Sequence, residues 1–311
     1  MFKPGCLSKI LGVTFIALGL MIVGAFFFPV PRPHVHLPAQ AIFHLGPFPI
    51  TNTLLASWFT ILVLLLIFYL GTRRMKLVPS GWQNLVEWVY ESLYNFVEGA
   101  AGEKNARRFF PVVATIFLYV FVAALLSLLP GFDTIGFGHY PKEPLPGAFL
   151  GSYQGWVVEV PLLRKANTDI NFPLALALIS FVCVEYWGIT SVGLRRYLGK
   201  FIRLGELLRA LGGLLRGKFR PMELLTGAVA LFVGALEAVS EFVRIISFTF
   251  RLFGNMNAGM ILLLLILFLF PWVVGVPFYG LEAFFGFVQA LIFGGLTLVF
   301  GVIAVTPPEH E

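Results

Sequence analysis

The chain has 311 residues, 58% of them hydrophobic and only 12% charged, with a mean hydropathy of +0.88 and a formal net charge of +6. A soluble domain carries roughly 45–50% apolar and 25% charged residues, so this composition excludes an ordinary water-soluble fold and indicates a polytopic membrane protein. The two cysteines, Cys6 and Cys183, have no partner spacing and support neither a disulfide framework nor a metal site.

Six hydrophobic units are expected, at roughly 10–29, 52–71, 110–129, 172–193, 224–270 and 274–305. The first follows Lys3 and Lys9 and resembles a signal peptide. Its apolar run is long for that role and no clean small-residue cleavage site follows, so a retained helix is the expectation and a signal segment the alternative. His34, His36 and His44 in the loop that follows read as surface histidines, with metal binding as the alternative. Residues 79–100 place Trp82, Val86, Val89, Leu93 and Phe96 at helical spacing, with Glu87, Glu91 and Glu98 elsewhere. That pattern predicts a short interfacial helix opened by Pro79 and Ser80. The loop at 130–171 is rich in proline and glycine and is expected to be irregular.

Basic residues divide unevenly among the gaps. Lys3, Lys9, Arg73, Arg74, Lys76, Lys104, Arg107, Arg108, Arg195, Arg196, Lys200, Arg203, Arg209, Arg216, Lys218 and Arg220 fall on one side of the membrane. The other side has Arg32, Lys142, Arg164 and Lys165. Positive charge favours the cytoplasmic face, so both termini and the two basic loops are expected there.

From about 224 to 270 there is no proline and no turn cluster. This reads as one helix of about 46 residues, or ~70 Å at 1.5 Å per residue, against a hydrocarbon core of ~30 Å. Such a helix must tilt strongly. The alternative is two crossings joined near Gly254–Asn255, which would expose uncapped backbone to lipid. Pro271 ends the unit and a second long apolar unit returns. The fold expected is therefore an all-α integral membrane protein with a long, tilted C-terminal helical hairpin at 222–305. Residues 1–50 form an extra N-terminal helix and loop, and 51–311 the main body.

Within the long unit Glu237, Ser240, Glu241, Arg244, Ser247, Arg251 and Asn255 follow steps of three and four, which stack on one helix face. Glu282 and Gln289, seven apart, share a face of the returning helix. A charge at mid-bilayer depth costs at least a few kcal/mol, so these groups face protein or water and mark a pathway. Glu241 and Arg244, three apart, can neutralise each other, which gives Arg244 a structural reading. Arg251 has no carboxylate at three or four residues' distance and needs a partner from another helix or chain. By depth, Glu237 lies toward the cytoplasmic side and Glu282 toward the outside. The pattern suggests two proton half-paths separated by a fixed positive charge.

At RLFGNMNAG the sequence resembles subunit a of the rotary F-type ATP synthases, and the resemblance covers most of the chain. It extends through VPSGWQNLVEWVYE (78–91), FFPVVATIFLYVFVAALLSLLPG (109–131), TDIN (168–171), LEAVSEFVRIISFTFRLFGNMNAGM (236–260) and FVQALIFGGLTLVF (287–300). The resemblance implies that Arg251 is the essential arginine facing a rotating ring of c subunits. It also matches Gln289, Asn255 and the acidic Glu237 to family positions. Two positions depart from the common bacterial pattern. Met260 stands where an acidic residue is usual, and Glu282 where a histidine is. The family tolerates moving the carboxylate between these sites, which implies that Glu282 serves the outer half-channel. The segment AALLSLLPG lacks an asparagine that is frequent there, and the 10–29 helix extends beyond the usual five-helix core.

The proton-translocation residues implied are thus Arg251, Glu282, Gln289, Asn255, Glu237, Ser247 and Glu241. Expected partners are the c-subunit ring, b-type peripheral stalk subunits, other ATP synthase subunits, the lipid bilayer of a bacterial plasma membrane, and protons, with no nucleic acid. No cofactor and no metal are expected. The chain contains no GxxxxGK[ST] phosphate loop, so nucleotide chemistry belongs to a partner. The alternative function is a self-contained ion or proton-coupled transporter. Such proteins commonly carry internal repeats, and none is evident here.

Overall fold

The computed structural model describes residues 38–306 apart from 130, 142, 144, 147–151, 154, 202–220 and 271–273, together with isolated positions between 12 and 23. Those positions, Gly12, Phe15, Ile16, Gly19, Leu20 and Val23, are helical, but the expected 10–29 helix as a whole lies outside the described residues. So do His34, His36 and the basic residues Lys3, Lys9, Arg32, Lys142, Arg203, Arg209, Arg216, Lys218 and Arg220.

In chain order the elements begin with an antiparallel hairpin of β1 (Ala41–Leu45) and β2 (Phe48–Thr51) and helix α1 (Asn52–Thr72). Helix α2 (Trp82–Leu126) is followed by β3 (Gly136–His139), β4 (Leu145–Pro146), β5 (Ser152–Tyr153) and β6 (Val157–Pro161). A 3-10 turn (Ala166–Thr168) leads into α3 (Asn171–Val192) and the short α4 (Leu194–Phe201). The chain closes with α5 (Pro221–Leu269) and α6 (Gly275–Val305). Among the described residues α1, α2, α3, the Leu225–Leu269 part of α5, and α6 are long and apolar enough to cross a membrane. The protein is all-α in class. Its large exposed side chains, such as Leu65, Phe232 and Phe242, are what a lipid-facing surface requires.

Helix starts follow local chemistry. Thr51 precedes α1 and its hydroxyl accepts the Leu54 N–H at 3.3 Å, the geometry of an N-cap. Asp169 does the same for α3, accepting the Asn171 N–H at 3.1 Å. The expected interfacial helix and the expected spanning unit at 110–129 form one helical run, α2, interrupted at Gly102 with φ 75° and ψ 157°. Only glycine adopts that conformation readily, so Gly102 is the joint between two helices. Pro111 does not end the second. In the first half the protein-facing side is set by other residues than the apolar run alone. Gln83, Val86 and Val97 are buried while Trp82 and Phe96 are exposed. Gln83 is held inward by two bonds with the Lys76 backbone, accepting its N–H at 2.9 Å and donating to its carbonyl at 2.8 Å.

The 130–171 loop, expected to be irregular, contains order. β3 pairs antiparallel with β6, and β4 with β5. The fifth unit is a single helix of 49 residues with no turn near Gly254–Asn255. At 1.5 Å per residue it is about 74 Å long.

The chain divides into two compact units, each built from discontinuous segments. One comprises residues 1–69, 118–172 and 252–290. In it Tyr119 donates to Ser57 Oγ at 2.8 Å, joining α2 to α1, and Phe121 packs edge-on to Phe287 of α6. Gly286 allows α6 close to α2, because a Cβ there would lie 2.6 Å from Ala124 Cβ. The other comprises residues 70–117, 173–251 and 291–311. Its core is Val97, Ala106, Phe109, Val113, Val184, Trp187 and Leu298, with the Phe109 and Trp187 rings 4.4 Å apart. Within this unit Phe248 of α5 packs on Phe293 of α6 while Arg244, one turn earlier, lies over Phe300, so α6 returns antiparallel along α5.

Candidate functional site

Two polar clusters stand out, one in each unit. The first is assembled by the 130–171 loop. Backbone bonds from Leu162 N to Ile135 O (2.9 Å) and from Asp133 N to Leu163 O (3.0 Å) carry the β3–β6 pairing to its last residue before Arg164 and Lys165. Both basic side chains are then buried rather than splayed into solvent. Arg164 Nη1 donates to the Pro38 carbonyl at 2.9 Å. The Lys165 ammonium meets Oε1 of Glu282 on α6 in an ion pair whose side chains are 4% and 6% exposed.

The turn that presents Lys165 is pinned from several directions. Thr168 Oγ1 donates to the Lys165 carbonyl at 2.7 Å. Asn257 of α5 donates to the Thr168 carbonyl at 3.2 Å and to its own helix at Phe253 O, 2.9 Å. Thr53 of α1 donates to Asp169 Oδ2 at 3.1 Å. Gly259 of α5 leaves the space that the Glu282 carboxylate occupies, since a Cβ there would collide with that carboxylate. Asp133 belongs to the same set. Burial pushes its carboxyl above the usual range, against the opposing charges of Arg164 and Lys165. Burial likewise pushes the Arg164 guanidinium down, while Asp133 and Asp169 favour its charge.

The second cluster lies on α5 and its neighbours in the other unit. Arg244 pairs with Glu241 one turn earlier through two contacts, Nη1 to Oε2 at 2.6 Å and Nη2 to Oε1 at 3.1 Å. The Arg244 guanidinium also stacks over Phe300 of α6, 3.7 Å from the ring centroid, an attractive arrangement for a desolvated cation. Nearby, burial pushes the Tyr197 hydroxyl of α4 up, and the Glu185 and Glu241 carboxylates push it further, with Arg244 opposing. A small cleft lies between Ser180, Arg244, Phe248 and Phe300. Ser180 and Thr297 join α3 to α6 by a buried hydroxyl–hydroxyl bond of 2.8 Å.

Arg251 is exposed on α5 with its guanidinium 5.9 Å from the Phe248 ring centroid. Ser247 is exposed, Glu237 and Asn255 are half-buried, and Gln289 and Glu282 are buried. Met260 is half-buried. Among the described residues no group of three His, Cys, Asp or Glu is placed to hold a metal ion.

Sequence reasoning misses Lys165, Thr168, Asn257, Glu185 and Tyr197. Lys165 counts in sequence only as a loop charge, and its partner is 117 residues away. Asn257 sits two residues beyond the asparagine of the RLFGN stretch, on the face turned toward Thr168. The one available signal is the TDIN stretch at 168–171, which marks the turn but not the lysine ahead of it.

Comparison with known proteins adds to this geometry. The family model described as ATP synthase A chain matches residues 54–301. The chain is 32% identical over 250 residues to the ATP synthase subunit a of a Nitratiruptor species, covering 80% of this chain and 88% of that relative. It is 31% identical over 255 residues to that of Aliarcobacter butzleri, covering 80% and 89%. Against that of a Helicobacter pylori strain it is 29% identical over 265 residues, covering 84% and 94%.

Proposed function

This chain belongs to the ATP synthase A chain family, and we propose that it is the proton-translocating stator of a membrane Fo sector. In this reading it provides two half-channels that exchange protons with carboxyls on a rotating c ring. The observation that carries the reading is Arg251, a permanent cation exposed on an apolar helix of 49 residues. An arginine stays charged when desolvated, and its cost in a membrane is at least ~2.5–3.5 kcal/mol. A passing carboxylate on a neighbouring subunit would offset that cost.

The chemistry follows from environment. A ring carboxyl is neutral while facing lipid, because its ionised form is too costly there. Beside Arg251 it releases its proton, since a nearby cation favours the carboxylate. It gains a proton from the outer path, which contains Glu282. After nearly a full turn it releases one into the path containing Glu237 and Glu241. Arg251 blocks a direct leak by repelling protons between the two paths. Asn255, Ser247 and Gln289 supply hydrogen-bonding groups along the way. Arg244, paired with Glu241 on its own helix, contacts α6 through its guanidinium over Phe300, which gives it a structural role. The chain takes no part in nucleotide chemistry; that belongs to other ATP synthase subunits, with b-type subunits forming the peripheral stalk. The uneven basic loops support a bacterial plasma membrane orientation with both termini cytoplasmic. Residues 1–50 then form an extension of the 51–311 core.

The test is Arg251→Ala in the reconstituted complex. ATP-driven proton pumping is expected to vanish while ATPase activity of the soluble sector survives. Normal pumping by that variant would sink the proposal.

A further inference from the structure

The resemblance has Glu282 serving the outer path by itself, yet in the fold it is engaged by a lysine from a distant loop. The arrangement is built on both sides. The β3–β6 ladder delivers Lys165, and Thr168 and Asn257 fix the turn that follows it. Gly259 leaves room for the carboxylate. Both side chains are removed from solvent, so the pair is more than a surface contact. Lys165 also has a second acid within electrostatic reach, Asp133, which faces Arg164 as well.

We propose that Lys165 is a positioning residue of the outer proton path: a tethered ammonium that seats the Glu282 carboxylate against Gly259 each time that carboxylate is charged. This rests on the assignment of Glu282 to that path. When a proton arrives, it binds the Glu282 carboxylate and neutralises it, and the contact with the ammonium loosens. When the proton moves on, the carboxylate charge returns and the pair re-forms. One proton enters and one leaves, and Lys165 keeps its own throughout. A lysine suits the task because it is a compact charge on a flexible stem, able to follow the carboxylate as the contact loosens and re-forms. The charged groups facing it are Glu282 on α6 and Asp133 ahead of β3, with Arg164 beside it in the chain and Asp169 acting on Arg164.

The experiment is ATP-driven proton pumping by the complete complex in liposomes, with the amount of this chain in each preparation measured. Lys165→Gln should slow pumping about tenfold, the change made by ~1.4 kcal/mol in a barrier. Lys165→Arg, which keeps the charge, should recover much of the rate. The double variant Lys165→Gln/Glu282→Gln should be no slower than Glu282→Gln alone, because the two residues act through one contact. That comparison holds even if Lys165→Gln alone assembles poorly, since the double variant leaves no buried charge of the pair behind. Wild-type pumping by assembled Lys165→Gln would overturn the inference. So would an Arg variant as slow as the Gln variant, or a double variant slowed by the product of the two single effects. Arg251→Ala separates the levels. If it stops pumping while Lys165→Gln does not, only the role of Lys165 falls; if Arg251→Ala pumps normally, the reading beneath it falls too.

Discussion

Removing one partner of the Lys165–Glu282 pair should cost far more stability than removing both. The side chains are 4% and 6% exposed, so neither charge can be rehydrated without opening the loop or the helix. For a buried pair, loss of one partner typically costs about 3–5 kcal/mol, whereas replacing both by neutral groups of similar size is near neutral. The neighbourhood makes the two single changes unequal. Glu282→Gln leaves Lys165 close to the Asp133 carboxyl, which places its cost near the lower end. Lys165→Met leaves the Glu282 carboxylate buried on an apolar helix, which places its cost near the upper end. The Lys165→Met/Glu282→Gln double variant should return to within about 1 kcal/mol of wild type, giving a coupling energy of about 3 kcal/mol or more. The measurement is unfolding of the full chain in detergent by SDS titration, followed by tryptophan fluorescence. Single changes each below about 1 kcal/mol, the value of a solvent-exposed pair, would refute the reasoning. So would a double variant as unstable as the sum of its parts.

Two further predictions concern the other unit. Gly102→Ala should destabilise the chain by about 1–3 kcal/mol through backbone strain alone, because nothing lies within 4 Å of the added Cβ and only the dihedrals object; an unchanged unfolding midpoint would show that the joint in α2 relaxes freely. Thr297→Val should cost about 1 kcal/mol or slightly more by leaving the buried Ser180 hydroxyl without that partner, and adding Ser180→Ala should recover most of the loss. Equal instability in the single and double variants would contradict that account.

The spanning helices are legible because hydropathy is a local signal. The units expected at 52–71, 172–193, 224–270 and 274–305 correspond to α1, α3, α5 and α6 within a few residues. The continuity of α5 is legible for the same reason, there being no proline or turn cluster in 224–270. The β3–β6 pairing is not. Its strands, GFGH and VVEVP, are short and separated by residues 140–156, and glycine and proline conceal their alternation. The basic stretch LRRYLGKF reads only as loop charge, yet it folds as α4 and brings Tyr197 close to Glu185 and Glu241. Spacing groups Val86 with Trp82 and Phe96 on one apolar face of α2, yet Val86 is buried while those two are exposed. Gln83 cannot be placed inward from sequence, because two hydrogen bonds to the Lys76 backbone, and not its hydropathy, turn it in.

The Glu241–Arg244 and Lys165–Glu282 pairs differ in the same way, and the difference bears on what each needs in order to form. Glu241 and Arg244 are one turn apart on α5, so they neutralise each other as soon as that helix exists, before any partner helix is in place. A long apolar helix carrying its own counter-charge is easier to place in lipid than one that must wait for a partner. Lys165 and Glu282 meet only after the β3–β6 ladder has closed, the 3-10 turn has been caught by Asn257, and α6 has returned along α5 past Gly259. Until then both charges need water. The second pair is therefore a property of the closed fold. A local pair of this kind can be found by counting residues along a helix, but a pair 117 residues apart requires the closed fold, which is why Lys165 reads as a loop charge in sequence and as a partner of Glu282 only in three dimensions.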